Sequence, residues 1–193
     1  TLRRLTGEAL EAHYKEILSK LSRKGGLIGT LFLKAESKIN DPAKLQRLVT
    51  LIDGETWMGV NVDVKGAIYE GLLERNAAEV KSGAGQYFTP RPVIQAIVDV
   101  VNPQPGETVC DPAVGTGGFL LAAYEHMCKH ATAQDIKMSR KMREESFFGT
   151  DIVAEVVRLC AMNLYLHGLG GDKPLVKQAD ALLNKDERHY DLV

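Results

Sequence analysis

Apolar residues along this chain recur with two different rhythms. Through the first 80 residues they come at three- and four-residue steps, the spacing of a buried helical stripe; after residue 108, short apolar runs alternate with helical stretches. The first helix is predicted over Thr6–Ser22, with Leu10, Tyr14, Ile17 and Leu21 on one face and Gly25-Gly26 as its stop. Leu27 to Ala35 forms a compact apolar segment that suits a short buried helix. Asn40-Asp41-Pro42 is a start signal, a capping side chain followed by proline, and Leu45, Leu48, Val49 and Ile52 are the stripe of the helix it opens. A fourth helix follows Asp63 and runs to about Glu79, with Ile68, Leu72 and Leu73 inward; Trp57 is read as a packing anchor between helices.

At Val80 the composition changes. Lys81-Ser82-Gly83-Ala84-Gly85 has the content of a linker, which puts the expected division between a helical domain, 1–80, and a second domain, 81–193. Gln86-Tyr87-Phe88-Thr89-Pro90-Arg91-Pro92 leads into a helix whose face is Val93, Ile94, Ile97, Val98 and Val101, with Thr89 as the expected N-cap. Strands are then predicted at Val109-Cys110, at Phe147 to Thr150 and at Leu175 to Ala179, with a last one opening at Tyr190. Helices from about Phe119 to Lys129 and Ala154 to His167 separate them. The polar stretch from Ala131 to Ser146, with Lys137, Arg140, Lys141 and Arg143, is expected to be a solvated connection. Strand, helix, strand, helix, strand implies right-handed crossovers and a parallel sheet, so the fold class is α/β.

Composition narrows the picture modestly. Hydrophobic residues make up 45% and charged residues 25%, the proportions of an ordinary globular protein, and no apolar run is long enough to cross a bilayer, so no membrane partner and a cytoplasmic location are expected. With 24 Lys plus Arg against 25 Asp plus Glu, the surface is not one that grips nucleic acid unaided. Cys110, Cys128 and Cys160 lack metal-ligand spacing and read as reduced packing residues; His126 and His130, four apart, have no further ligands near them in sequence, and no metal is expected.

The chemistry is concentrated in Asp111-Pro112-Ala113-Val114-Gly115-Thr116-Gly117-Gly118-Phe119, an acid at a strand end, a glycine turn and a helix start. Such a turn allows positive φ, close approach of the backbone, and unpaired helix N–H groups above the strand end. A carboxylate there repels a diphosphate and attracts a ligand bearing amino or sulfonium charge, and Leu120 stands where the dinucleotide fingerprint needs glycine. S-adenosylmethionine is therefore preferred over NAD. Asp151 and Asp180 end the next two strands, so all three acids converge on one sheet edge, where a carboxylate can accept ribose hydroxyls or an adenine amine. Taken singly, each acid could be a helix cap or a solvated loop residue.

Ser82 to Pro92, followed by Asp111 to Phe119, closely resembles the modification subunit of type I restriction–modification systems, an N6-adenine DNA methyltransferase; Tyr69-Glu70-Gly71-Leu72-Leu73 and Asn76-Ala77 resemble the end of that family's helical domain. The resemblance implies a helical subunit-interaction domain followed by the first part of a Rossmann-like methyltransferase domain. It implies S-adenosyl-L-methionine as cofactor, bound by Gln86, Tyr87, Phe88, Thr89, Pro90 and Arg91 folding over it, with Thr89 near the methionine carboxylate. Asp111 and the turn Gly115, Thr116, Gly117 and Gly118 are implied at the methionine end, Asp151 at the ribose and Asp180 at the adenine, with Ala113, Phe119, Ile152 and Ala181 also implied in the cofactor site. Implied partners are DNA, held through the whole complex, a specificity subunit, a restriction subunit and a second modification subunit. The family's catalytic Asn-Pro-Pro-aromatic loop is expected after Val193, so no catalytic residue is assigned in this chain, which is expected to be a fragment inactive alone. Alternative readings are a non-catalytic cofactor-binding or assembly module, and a methyltransferase of another amide or amine; a dehydrogenase is disfavoured by Asp111.

Overall fold

The computed structural model describes residues 2–57, 62–79, 89–131, 136–184 and 186–193. The chain divides into two compact units, Thr1–Asn61 and Val62–Val193. The linker expected at 81–85 lies outside the described residues. The division falls before the fourth helix because that helix packs within the second unit.

In the first unit a 3-10 turn, Leu2–Arg4, precedes α1 (Gly7–Ser22), α2 (Gly26–Leu31) and α3 (Pro42–Gly54). α3 begins where its sequence signal stands: the Asp41 carboxylate accepts hydrogen bonds from the N–H groups of Ala43 (2.8 Å) and Lys44 (3.3 Å), satisfying donors that a helix start leaves unpaired. Leu10, Leu18, Leu27 and Leu45 are the buried residues, and Arg3 is ion-paired with Asp53. The expected stripe of α3 is only partly internal, since Leu48 and Ile52 are exposed. Trp57 is no buried anchor either: the residue is 52% exposed and its Nε1–H donates to the Ile52 carbonyl (2.6 Å), so it folds back on the end of α3.

The second unit comprises α4 (Val62–Glu79), α5 (Arg91–Val101), β1 (Val109–Asp111), α6 (Gly118–His130), α7 (Ile136–Glu145), β2 (Phe147–Asp151), α8 (Ala154–Leu166) and β3 (Val176–Gln178). The sheet is parallel in the order β1-β2-β3, with Val109 opposite Phe147 and Gly149 opposite Val176. α6 lies against β1, α8 against β2 and β3, α5 on α6, and α4 on α8. The core between them is Phe147, Leu120, Leu121, Met127, Met142, Val157, Cys160, Leu164 and Val176, with Tyr124 edge-on to Phe147 at 5.9 Å. Among the described residues no helix is long and apolar enough to cross a membrane.

Several expectations are corrected here. α4 turns inward the face carrying Gly66 and Leu73, leaving Ile68 (57%) and Leu72 (52%) exposed. A Cβ on Gly66 would sit 2.5 Å from the His167 ring, so glycine, and not the apolar stripe, lets α4 reach α8. α5 is capped by Pro90 and not Thr89, with Pro92 in its first turn. The polar 131–146 connection contains a helix, α7, held down by Met142 and Met138 four residues apart and braced by Arg140 Nε donating to Glu144 (3.1 Å). Cys128 is exposed. The last predicted strand is reduced to a single parallel bridge, Leu192 to Val109, with Cys110 N–H donating to the Leu192 carbonyl (3.0 Å).

A small polar joint closes α5 onto α6. Asn102, the C-cap of α5, takes a left-handed conformation (φ 54°), and its side-chain oxygen accepts a hydrogen bond from His126 Nε2 (2.9 Å); His126 Nδ1 lies 3.3 Å from Asp99. Asn102→Gly keeps the backbone shape and loses the bond, at a cost of ~1 kcal/mol. Asn102→Ala adds the strain of a Cβ in the left-handed region, for a further ~1 kcal/mol. Urea denaturation of the two variants should rank wild type above Asn102→Gly above Asn102→Ala; equal midpoints for all three would show that the joint contributes nothing.

Candidate functional site

The three strand-end acids share one local geometry. Asp111 Oδ1 accepts from Ala113 N–H (3.0 Å), Asp151 Oδ1 from Val153 N–H (2.8 Å), and Asp180 Oδ1 from Leu182 N–H (2.9 Å). Each is an Asx turn, in which a carboxylate bonds the backbone two residues on and bends the chain off its strand. The parallel register brings them together: Asp111 pairs with Gly149 and Asp151 with Gln178, two residues before Asp180. The local-cap reading is thus realised by one oxygen of each acid. The second oxygen of Asp151 accepts from Gly115 N–H (3.3 Å), and those of Asp111 and Asp180 have no hydrogen-bond partner among the described residues.

The glycine turn between β1 and α6 is fixed on several sides. Val114 N–H donates to the Thr150 carbonyl (2.9 Å) and Thr150 Oγ1 to the Pro112 carbonyl (3.0 Å), clipping the turn to the end of β2. Gly115 and Gly117 have φ of 53° and 88°. The glycines divide their work in a way the sequence does not reveal. A Cβ on Gly117 would lie 2.9 Å from Cys160 Sγ, and one on Gly118 2.9 Å from Ile94 Cδ1, so these two are small because α8 and α5 press on them. A Cβ on Gly115 would meet nothing nearer than the Ala113 carbonyl at 3.9 Å; of the three, Gly115 alone leaves open space above the turn. Beneath it, the buried Asn163 of α8 donates from Nδ2 to the Thr116 carbonyl (3.0 Å). Asn163 was not singled out from the sequence: it lies in an apolar helical run, and an asparagine there carries no periodic signal.

The remaining expected residues fall as follows. Thr89 and Pro90 lead into α5, and Arg91 Nη2 is ion-paired with Glu70 of α4 (3.2 Å) and Glu125 of α6 (3.3 Å). Gln86, Tyr87 and Phe88 lie outside the described residues. Phe119 packs against the Ile94, Val98 and Ala122 cluster. Ala113, Ile152 and Ala181 are exposed beside their acids, as are Leu182 and Leu183, which the sequence reading passed over. Burial raises the pKa of Asp111 above its ordinary 3.8, with the neighbouring Asp151 charge adding to the shift and the Ala113 hydrogen bond opposing it. Burial likewise raises the Cys160 thiol, an inert packing group.

This arrangement matches known proteins along most of its length. The N-6 DNA Methylase family model matches residues 60–193. The chain belongs to this family. It is 38% identical over 172 residues to the type I restriction enzyme StySJI methylase subunit of Salmonella typhimurium, an alignment covering 82% of this chain and 32% of the relative. To the EcoKI methylase subunit of Escherichia coli it is 35% identical over 181 residues, covering 88% and 33%. A solved structure described under complex assembly and conformational transition of the type I R-M system superposes with a TM-score of 0.72 at 26% identity, covering 94% of this chain and 38% of that one. The chain spans about a third of the length of the curated relatives it matches. Family membership and the helical plus parallel-sheet architecture therefore agree with the sequence reading.

The Asp111 shift gives a pH prediction. Below 3.8 the carboxyl is protonated in both folded and unfolded chains; as pH rises through the higher folded value, ionising it in place costs stability. Asp111→Asn keeps an oxygen for the Ala113 N–H and removes the charge. Its urea midpoint should exceed that of wild type at neutral pH, and the gap should close as pH falls below about 3.8. A gap that is constant with pH would mean the charge is not what destabilises the position.

Proposed function

We propose that this chain binds S-adenosylmethionine at the edge formed by Asp111, Asp151 and Asp180 and, within a type I restriction–modification complex, serves methyl transfer to the N6 of adenine in DNA. The observation that carries the reading is the repeated Asx-turned acid at three adjacent strand ends around an open glycine, in a member of the N-6 DNA methylase family. The donor set fits the ligand's chemistry. Two carboxylate oxygens without a hydrogen-bond partner among the described residues, at Asp111 and Asp180, suit an ammonium or sulfonium group and an exocyclic amine, whereas a diphosphate would meet only repulsion there. The methionine end lies along Asp111 and Gly115. Asp151 accepts the ribose hydroxyls, with Ile152 beside it, and Asp180 accepts from the adenine amine. Thr89 supplies a hydroxyl for the methionine carboxylate, and Arg91, tethered to Glu70 and Glu125, holds that segment beside the turn.

When bound, the cofactor supplies a methyl group on a positively charged sulfur. The part played by these residues would be to bind and orient it, the acids holding its two ends and the open backbone at Gly115 facing it. Membership in the N-6 DNA methylase family supports DNA as the substrate, and the names of the relatives, methylase subunits of type I restriction enzymes, support action as one subunit of such an enzyme; specificity, restriction and second modification subunits are the partners proposed. The helical first unit, with Leu48, Leu51 and Ile52 exposed along α3, is read as a surface for such subunits.

Calorimetric titration of the protein with S-adenosylmethionine and with NAD tests the reading. Binding of the first and not the second is expected; no binding of the first, or tighter binding of the second, would overturn it. Asp151→Ala should weaken the cofactor by ~1.5–3 kcal/mol through loss of charge-assisted hydrogen bonds. Asp151→Asn, which retains an acceptor for Val153 N–H, should lose less, and equal affinity in all three proteins would remove Asp151 from the ribose. With its partner subunits the protein should place N6-methyladenine in duplex DNA.

A further inference from the structure

Asn163 is 2% exposed in the middle of α8, flanked by the buried Cys160 and Leu164 on the same face. A leucine would fill that position with apolar atoms. Asparagine instead leaves its Oδ1 buried without a hydrogen-bond partner among the described residues, while Nδ2 reaches the Thr116 carbonyl at 3.0 Å. A buried polar group that is only half satisfied requires a reason. Its one side-chain bond among the described residues goes to the glycine turn, so the reason lies there and not in the packing of α8 on its neighbours. Asn163 also lines a small cavity with Glu70, Arg91, Thr116 and Gly118, directly under the start of α6.

We propose that Asn163 is a positioning residue for cofactor binding: its amide pulls the Thr116 carbonyl down onto α8 and so orients the Gly117–Gly118 backbone that begins α6. The first N–H groups of α6 have no intrahelical acceptor, and their direction follows from the peptide planes just before them. With Thr116 pinned, these donors and the open face of Gly115 stay aligned with Asp111 and Asp151; without it, the turn keeps its glycines but loses its fixed height. The inference rests on the cofactor reading above for its consequence, though not for the shape of the turn.

Two substitutions separate hydrogen bonding from packing. Asn163→Leu fills the space and cannot donate. Asn163→Asp faces the Thr116 carbonyl with a carboxylate when ionised and with an O–H donor when protonated. Amide hydrogen exchange across residues 112–119 should quicken in Asn163→Leu, and affinity for S-adenosylmethionine should fall about tenfold, the loss of one such hydrogen bond. Asn163→Asp should match Asn163→Leu at alkaline pH and recover toward wild type as pH falls. The charged groups facing position 163, Glu70 and Arg91 in the cavity and Asp111 and Asp151 across the turn, are the same in both proteins, so the affinity ratio to wild type isolates position 163. Wild-type exchange and affinity in Asn163→Leu, or an Asn163→Asp deficit that does not change with pH, would overturn the proposal. Failure of the wild-type protein to bind S-adenosylmethionine would overturn the functional reading instead, and the exchange measurement would still decide the role of Asn163.

Discussion

The close approach of the β1–α6 turn to its neighbours governs the second unit. Gly117 sits at φ 88° with Cys160 where its side chain would begin, Gly118 has Ile94 in the same relation, and Gly149 of β2 leaves room for Val114, whose Cγ2 would be 2.7 Å from any added Cβ. Three missing side chains let α8, α5 and β2 all press on one short loop. Because protein interiors are packed at crystal-like density, a loop held in this way has little freedom to shift. Its position then fixes where α6 begins, how β1 aligns with β2, and which backbone atoms face the strand ends. The glycines that look from the sequence like concessions to a ligand are largely concessions to packing, and Gly115 alone of the three in the turn leaves open space above it.

The acids add a second constraint of the same local kind. A parallel strand must leave the sheet at its carboxyl end, and an Asx turn makes that departure with a side chain supplied by the strand itself. One oxygen of each carboxylate is occupied in shaping its own turn, so the orientation of the other is set by backbone geometry and needs no separate support. Asp111 and Asp151 are further linked through the turn, since Asp151 binds Gly115 N–H while Val114 N–H binds the β2 carbonyl of Thr150.

Much of this was legible in the sequence where the signal was a turn residue or a short apolar run. Asp41 caps α3, the three strands lie where apolar runs end in aspartate, and the helix after Gly117 starts within one residue of its expected place. The misses share a cause. For α4, the apolar positions Ile68 and Leu72 outvoted Gly66 as the marker of the buried face, yet only a residue without a side chain lets α4 approach His167. For α7, two methionines among many charges were too weak a stripe to read as a helix, though burial of Met142 suffices to seat it. Arg188 shows the limit most plainly. It forks onto Asp186 (3.0 and 2.7 Å) and lies 4.4 Å over the Phe148 ring, holding the returning chain against the sheet, and no local pattern connects those residues. Asn163 is of this kind too: its partner is 47 residues away and on another element.

The electrostatics of the strand edge bear on which ligand it can hold. Asp111 has a raised pKa chiefly because burial strips its carboxylate of water, and the Asp151 charge raises it further. The Arg91 guanidinium, which shares a small cavity with Thr116 and Gly118 of the turn, is already paired with Glu70 and Glu125. The folded chain therefore carries a carboxylate whose ionisation is opposed by its surroundings. A ligand with positive charge near Asp111 supplies the missing counter-charge, and by linkage its binding must lower the Asp111 pKa by the same free energy that the ionised Asp111 adds to the affinity. A phosphate-bearing ligand would do the reverse, raising that pKa and weakening its own binding as pH rises. The buried Asp111 carboxylate would thus add to the affinity of a ligand that brings positive charge beside it and subtract from that of one that brings negative charge.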